Sequence, residues 1–236
     1  MKKINTMTRG ASVLAAVAMA LMPQMMRAQT TEPPAGSKTL DDFTKGADTI
    51  HIVTGNVTKS YTEPAKDDHI VGGTRAMEVV VDAGNNPYSQ PARAQVVTEP
   101  GNSMPPAFIG WFGYGALGRI YLQYGSAASP LNVNLLPYYA LRVYFSGLTS
   151  ALNFNIVAYQ GSNNEAGGCG INLAPSPGPF TADFPLANFA LSTTGVDFSN
   201  TAALVMVFQN TENLAITGFY AVPPGSAPAT YTCEKS

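Results

Sequence analysis

What this 236-residue sequence has least of is charge: Asp, Glu, Lys and Arg make up 12% of it, about half the share of an ordinary soluble domain. Thirteen basic residues against fifteen acidic ones leave no cationic excess, so a nucleic-acid partner has no electrostatic support. Histidine and cysteine occur twice each and tryptophan once. No apolar run reaches the roughly 20 residues needed to span a bilayer as a helix. The G-x-S-x-G elbow, the P-loop, H-E-x-x-H and the EF-hand loop are all missing. Beyond the N-terminal segment, no stretch combines a 3.6-residue apolar period with caps, which excludes a helical bundle.

What is present is an apolar fraction of 45%, with 22 glycines and 18 prolines. That is enough to bury a sizeable core and punctuates the chain densely with turns. Short apolar or alternating segments recur at 39–43, 49–54, 75–82, 92–98, 107–114, 119–124, 139–145, 152–159, 180–184, 203–209 and 214–222. Strands at this spacing, without helices between them, predict an all-β fold: a two-sheet antiparallel β-sandwich. Its expected extent is a single domain over 39–236, with a polar Pro- and Gly-containing leader over 29–38.

The first 28 residues have the marks of a secretory signal peptide. Lys2, Lys3 and Arg9 precede an apolar run from Ala11 to Met22, and Ala28 offers a small residue for cleavage. The competing reading, an uncleaved anchor, requires a longer run. With no cysteine near the cleavage site, a lipid anchor is also set aside. Removing residues 1–28 takes away Lys2, Lys3, Arg9 and Arg27, leaving nine basic against fifteen acidic residues and a net charge of about −6. The expected destination is secretion, into the periplasm, onto the surface or into the medium. Both cysteines, Cys169 and Cys233, lie in the exported part, and an even pair in an oxidising compartment predicts one disulfide. A metal or redox pair is the weaker alternative, having neither C-x-x-C spacing nor a nearby histidine.

Alternation separates the faces of the predicted strands. Arg119, Tyr121 and Gln123 share one side of their strand, Arg142 and Tyr144 one side of theirs, and Asn153, Asn155 and Tyr159 one side of a third. Planar amides and guanidinium groups offer fixed hydrogen-bond geometry to sugar hydroxyls, and tyrosine rings offer flat faces to pyranose C–H groups. If these strands are neighbours, the eight residues form one glycan-binding sheet face. An ordinary solvated face would also hold tyrosine and arginine.

Three short motifs occur in a recognisable order: Thr39-Leu40-Asp41-Asp42-Phe43, Val71-Gly72-Gly73-Thr74-Arg75, and Asp197-Phe198-Ser199-Asn200 leading into 203–209. Over residues 40–221 the chain resembles exported bacterial proteins that often carry a C-terminal PEP-CTERM sorting signal. The single domain of that group is similar to galactose-binding-like and carbohydrate-binding-module jelly rolls. The resemblance implies a jelly-roll sandwich in an extracellular setting. Glu234-Lys235-Ser236 departs from the sorting signal, which sets surface anchoring by that route aside. The resemblance also implies a structural calcium, with Asp41 and Asp42, and more weakly Asp197, as candidate ligands. Calcium takes six or more oxygens. Adjacent aspartates on a strand point to opposite faces, so at most one of Asp41 and Asp42 enters such a site directly.

Catalytic readings are weaker. Asp67, Asp68 and His69 could ligate a metal, but as a polar run before Ile70 they are better taken as solvated turn residues. His51 alternates with Ile50 and Ile52 and is expected to face solvent. Glu78 and Asp82, four apart on one strand face, are about 13 Å apart along it, too far for either glycosidase mechanism. Trp111 is read as a core residue in preference to a sugar-stacking one. The expected function is therefore a non-catalytic glycan-binding module. A self-associating structural protein is the alternative, and a glycan-active hydrolase comes third.

Overall fold

The computed structural model describes residues 32–63, 69–99, 105–126, 128–160, 165–189, 196–209 and 212–234. The proposed signal peptide lies outside them, as do Asp67 and Asp68. The described residues form fourteen strands and four short 3-10 turns, with no α-helix among them.

The strands are β1 (Lys38–Asp41), β2 (Asp48–Ile52), β3 (Gly55–Thr62), β4 (Thr74–Val81), β5 (Ala92–Val97), β6 (Ala107–Phe112) and β7 (Gly118–Tyr124). They continue as β8 (Ala140–Leu148), β9 (Leu152–Gln160), β10 (Glu165–Leu173), β11 (Phe180–Pro185), β12 (Thr201–Gln209), β13 (Leu214–Val222) and β14 (Tyr231–Thr232). They build two sheets. One has eight strands in the order β14-β11-β8-β13-β6-β5-β2, with β1 also paired to β13; the other has six, β10-β9-β12-β7-β4-β3. All pairs are antiparallel except β11 with β14. The all-β, two-sheet sandwich expected from the sequence is the fold.

Eleven of these strands coincide with predicted segments to within a few residues, because their apolar residues alternate toward the core. In β4 the burial alternates residue by residue, with Arg75, Met77, Val79 and Val81 inward. Three strands were not legible. β3 (GNVTKSYT) is a sheet edge and almost wholly exposed, so it has no apolar pattern. β10 (EAGGCGINL) is too rich in glycine to show one, and β14 is two residues long.

An aromatic chain fills the space between the sheets. The Phe154 and Phe208 rings stack at 4.8 Å, Phe108 meets Phe208 at 5.7 Å, and Phe154 meets Phe145 and Phe184 edge-on at 5.8 and 5.0 Å. Phe108, Phe145 and Phe184 come from the eight-stranded sheet, and Phe154 and Phe208 from the six-stranded one. Three of the four contacts therefore cross the sandwich, with favourable offset and edge geometries.

The two sheets are also joined at both edges. On one side, consecutive strands β2 and β3 belong to different sheets, and Lys59 bonds Asp48 across them at 2.8 Å. On the other, the Cys169–Cys233 disulfide ties β10, an edge of the six-stranded sheet, to the residue just after β14, an edge of the eight-stranded one. The bridge closes 64 residues of chain. Replacing both cysteines by alanine should lower the unfolding free energy by roughly 2–4 kcal/mol, mostly by freeing the unfolded chain. Urea denaturation of the oxidised protein and the variant measures this, and coincident midpoints would refute it.

Candidate functional site

The registers fix which outward residues are neighbours. Across the six-stranded sheet one row runs Gly170, Asn155, Val207, Tyr121, Glu78, Thr58, and the next runs Asn172, Asn153, Gln209, Arg119, Val80, Asn56. A third places Gly168, Val157, Val205, Gln123, Ala76 and Ser60 together. None of these eighteen residues is buried. At the usual strand spacing the rows are about 24 Å wide. This face is open, wide and uniform in chemistry: amides and hydroxyls around one tyrosine, with valines as apolar tiles.

Its side chains are held in place by one another. Asn155 Nδ2 donates to Asn153 Oδ1 at 2.8 Å, and Asn153 Nδ2 donates to Asn172 Oδ1 at 2.9 Å, so three amides form a ladder over β9 and β10. Gly170 makes this possible, because a Cβ there would collide with the Asn155 carboxamide. Asn56 Nδ2 donates to Glu78 Oε1 at 3.4 Å. The neighbouring Tyr121 hydroxyl is the main reason the Arg119 pKa rises. Gln123 Nε2 donates to Gly125 O at 2.9 Å and lines a groove of about 210 Å³ at one end of the face, with Ser60, Thr74, Ala76, Ser126 and Leu131.

Six of the eight sequence-predicted ligand residues, Arg119, Tyr121, Gln123, Asn153, Asn155 and Tyr159, share this sheet. Arg142 and Tyr144 do not. Both are on β8 of the eight-stranded sheet, 4% and 5% exposed. Arg142 lies opposite Asp183 of β11 and grips it through two hydrogen bonds, Nε to Oδ1 at 2.6 Å and Nη2 to Oδ2 at 2.7 Å. Nη2 also donates to the carbonyl of Ala227 at 2.7 Å, so the C-terminal segment covers the pair. The single eight-residue face assumed that these strands were neighbours, and only register could correct it. Among the neighbours missed are Thr58 and Asn172, on strands without an apolar pattern.

Trp111 also departs from expectation. Phe108, Gly110 and Phe112 take the inward positions of β6, which leaves Ile109 and Trp111 partly exposed on the outer face of the eight-stranded sheet. His51 is exposed on β2, as expected.

The three aspartates implied for calcium are each engaged within the protein. Asp41 is fully buried; its Oδ1 accepts from Phe43 N at 2.8 Å, and its Oδ2 from Arg75 Nη1 at 2.6 Å and the Tyr124 hydroxyl at 2.9 Å. A cation there would have to displace a guanidinium. Asp42 accepts from the Thr44 backbone and hydroxyl and lies 2.7 Å from His69 Nδ1. Asp197 accepts from Ser199 N at the start of a 3-10 turn. Among the described residues no group of three or more His, Cys, Asp or Glu side chains converges.

His69, read from the sequence as a solvated turn residue, is thus tied to Asp42. Thr44 Oγ1 approaches the same ring nitrogen, Nδ1, at 3.0 Å. In a Ser-His-Asp relay the acid and the nucleophile use opposite ring nitrogens, so this trio does not have that geometry. The hydrogen bond to Asp42 is the main cause of a raised His69 pKa.

Comparison with known proteins adds likeness only. No family model matches the chain, and no curated protein matches it significantly. Among solved structures, the chain is similar to the family 11 carbohydrate-binding module of a cellulosomal cellulase of Clostridium thermocellum, with 10% identity over 80% of this chain and 96% of that one, at a TM-score of 0.41. The module from the same organism in complex with a β-1,3-1,4-mixed-linked tetrasaccharide gives 10%, 79%, 95% and 0.41. An exo-β-agarase shows 10% identity over 82% of this chain but 26% of its own length, at 0.36.

Two outcomes follow. Arg142→Ala should destabilise the fold by roughly 3–5 kcal/mol, because Asp183 is left charged and buried; a shift below about 1 kcal/mol in urea denaturation would contradict this. His69 holds its proton more tightly when folded, so its contribution is complete below the ordinary value of 6.5 and is lost as pH rises through the raised value. The melting temperature should therefore fall between about pH 6 and pH 8, and His69→Gln should flatten that slope.

Proposed function

We propose that the chain is an exported, non-catalytic carbohydrate-binding module whose ligand lies on the outer face of the six-stranded sheet. The observation that carries this is the uncovered set of rows around Tyr121, in which amides, hydroxyls and one aromatic ring replace the lysines and glutamates of an ordinary solvated face. Amides of Asn153, Asn155 and Gln123 present donors and acceptors in fixed directions. Tyr121, between Val207 and Glu78, offers a ring on which a pyranose can lie. The face carries little net charge, Arg119 against Glu78, which suits a neutral glycan.

Catalysis has less to stand on. Glu78 is the sole carboxylate in the three described rows, and glycoside hydrolysis by either standard route needs two at set separations. Self-association by strand addition would need an open sheet edge, such as β3. The exposed lysine of β3, Lys59, and its polar neighbours work against strand addition there. The predicted signal peptide and the Cys169–Cys233 disulfide support export.

The test is a binding screen of residues 29–236 against neutral soluble and insoluble polysaccharides, by affinity electrophoresis and pull-down. Saturable binding is expected, with Tyr121→Ala and Asn155→Ala each weakening it by about tenfold while the melting temperature holds, as for the loss of one central contact. Binding that neither substitution changes would remove the ligand from this face. No binding to any glycan would defeat the proposal.

A further inference from the structure

The opposite side of the sandwich carries a different constellation. On the outer face of the eight-stranded sheet, His51 of β2 lies directly across from Arg93 of β5, and Arg93 lies directly across from Trp111 of β6. Residues so paired have Cβ atoms about 5 Å apart. The three side chains therefore form one continuous row of imidazole, guanidinium and indole. Gln95, two residues along β5, accepts from Arg93 Nη2 at 2.5 Å and fixes the direction of the guanidinium.

Arg93 is the unusual member. Arg75 and Arg142 are each paired with a buried aspartate, but among the described residues Arg93 forms no ion pair. Its Nε is buried without a hydrogen-bond partner. A donor on a cation, left unmatched, costs free energy, and the outer end of the guanidinium is the part a ligand can meet. Guanidinium recognises carboxylate through two parallel hydrogen bonds. Beside it, the partly exposed indole of Trp111 provides a large flat apolar surface. The strands lead at this end into loops that expose an aromatic pair, Tyr88 and Tyr114, 62% and 76% exposed and stacked at 5.8 Å. Asn86 pins the first of these loops, donating to the carbonyls of Val53 and Gln90 and accepting from Gln90 N. This end of the molecule thus holds aromatic surface in solvent on a rigid frame.

We propose that this face is a second ligand site, specific for a carboxylate-bearing sugar, in which Arg93 clamps the uronic carboxylate and Trp111 lies under the pyranose ring. The remainder of the chain argues for a sparsely charged saccharide. An exported product with a net charge near −6 repels polyanions at long range, so a single cationic clamp selects isolated uronic residues over densely sulphated polymers.

Trp111 is the sole tryptophan, so its fluorescence reports this face without labels. Titration of residues 29–236 with short oligogalacturonates should give a saturable fluorescence change. The methyl-esterified oligomer, which keeps the ring and loses the charge, should bind at least about tenfold more weakly. Arg93→Ala should lose the response, and Arg93→Lys, which keeps the charge without the planar fork, should recover only part of it. Unchanged melting temperatures in both variants tie the loss to the clamp. No fluorescence change, equal affinity for the ester, or a response that survives Arg93→Ala would each overturn the proposal. A densely sulphated oligosaccharide binding as tightly as the uronate would do the same, by showing charge attraction alone.

Discussion

The structure depends on one buried charge. Asp41, on a strand of the eight-stranded sheet, reaches across the sandwich to Arg75 and Tyr124, which sit opposite each other on β4 and β7 of the six-stranded sheet. Burial pushes the Asp41 carboxyl up, against the pull of Arg75. Removing either partner strands a charge in an apolar interior, so the two sheets have one relative placement in which this end of the core is tolerable. Arg75 reinforces the placement by donating to the carbonyls of Lys45 and Gly46 and by lying 5.5 Å from the centre of the Phe43 ring. Phe43 itself turns through a positive φ of 57° to close over the pair. Once that end is fixed, the aromatic chain fills the middle and the disulfide closes the far edge.

That placement decides which outward surfaces are free. Both sheets have alternating strands, but they expose different chemistry. The β8–β11 half of the eight-stranded sheet spends its polar side chains internally, because the C-terminal segment lies over Arg142 and Asp183. Among the described residues, none on the middle rows of the six-stranded sheet is buried, and the amides there bond to one another. The same residue types have different uses at outward positions: Arg142 and Tyr144 are buried, whereas Arg119 and Tyr121 are not. Coverage, a property of chain path, separates the two uses.

Much of the fold was legible because strand alternation is a local signal. Val79 and Val81 against Glu78 and Val80, or Phe154 and Ile156 against Asn153 and Asn155, mark a buried face without any knowledge of neighbours. β3 and β10 escaped for the converse reason. A polar edge strand and a glycine-rich one form only because β4 and β9 offer them a ladder. The disulfide followed from compartment and count alone. The pairing of Asp42 with His69 was invisible, since 27 residues separate them and neither sits in a motif that demands the other.

By itself, then, the sequence determined an all-β sandwich, its core strands, one disulfide and the polar, nearly lysine-free character of its outward faces. These rest on periodicity and composition, which are read within a few residues. Tertiary structure alone decided that Arg119, Tyr121, Gln123, Asn153 and Asn155 share a face from which Arg142 and Tyr144 are excluded. It alone turned Trp111 outward beside Arg93, which forms no ion pair among the described residues, and it alone committed Asp41 to one. Each of these depends on strand order and on which segment covers which sheet. Such long-range pairings are set by the closing of the whole sandwich, and no local pattern encodes them.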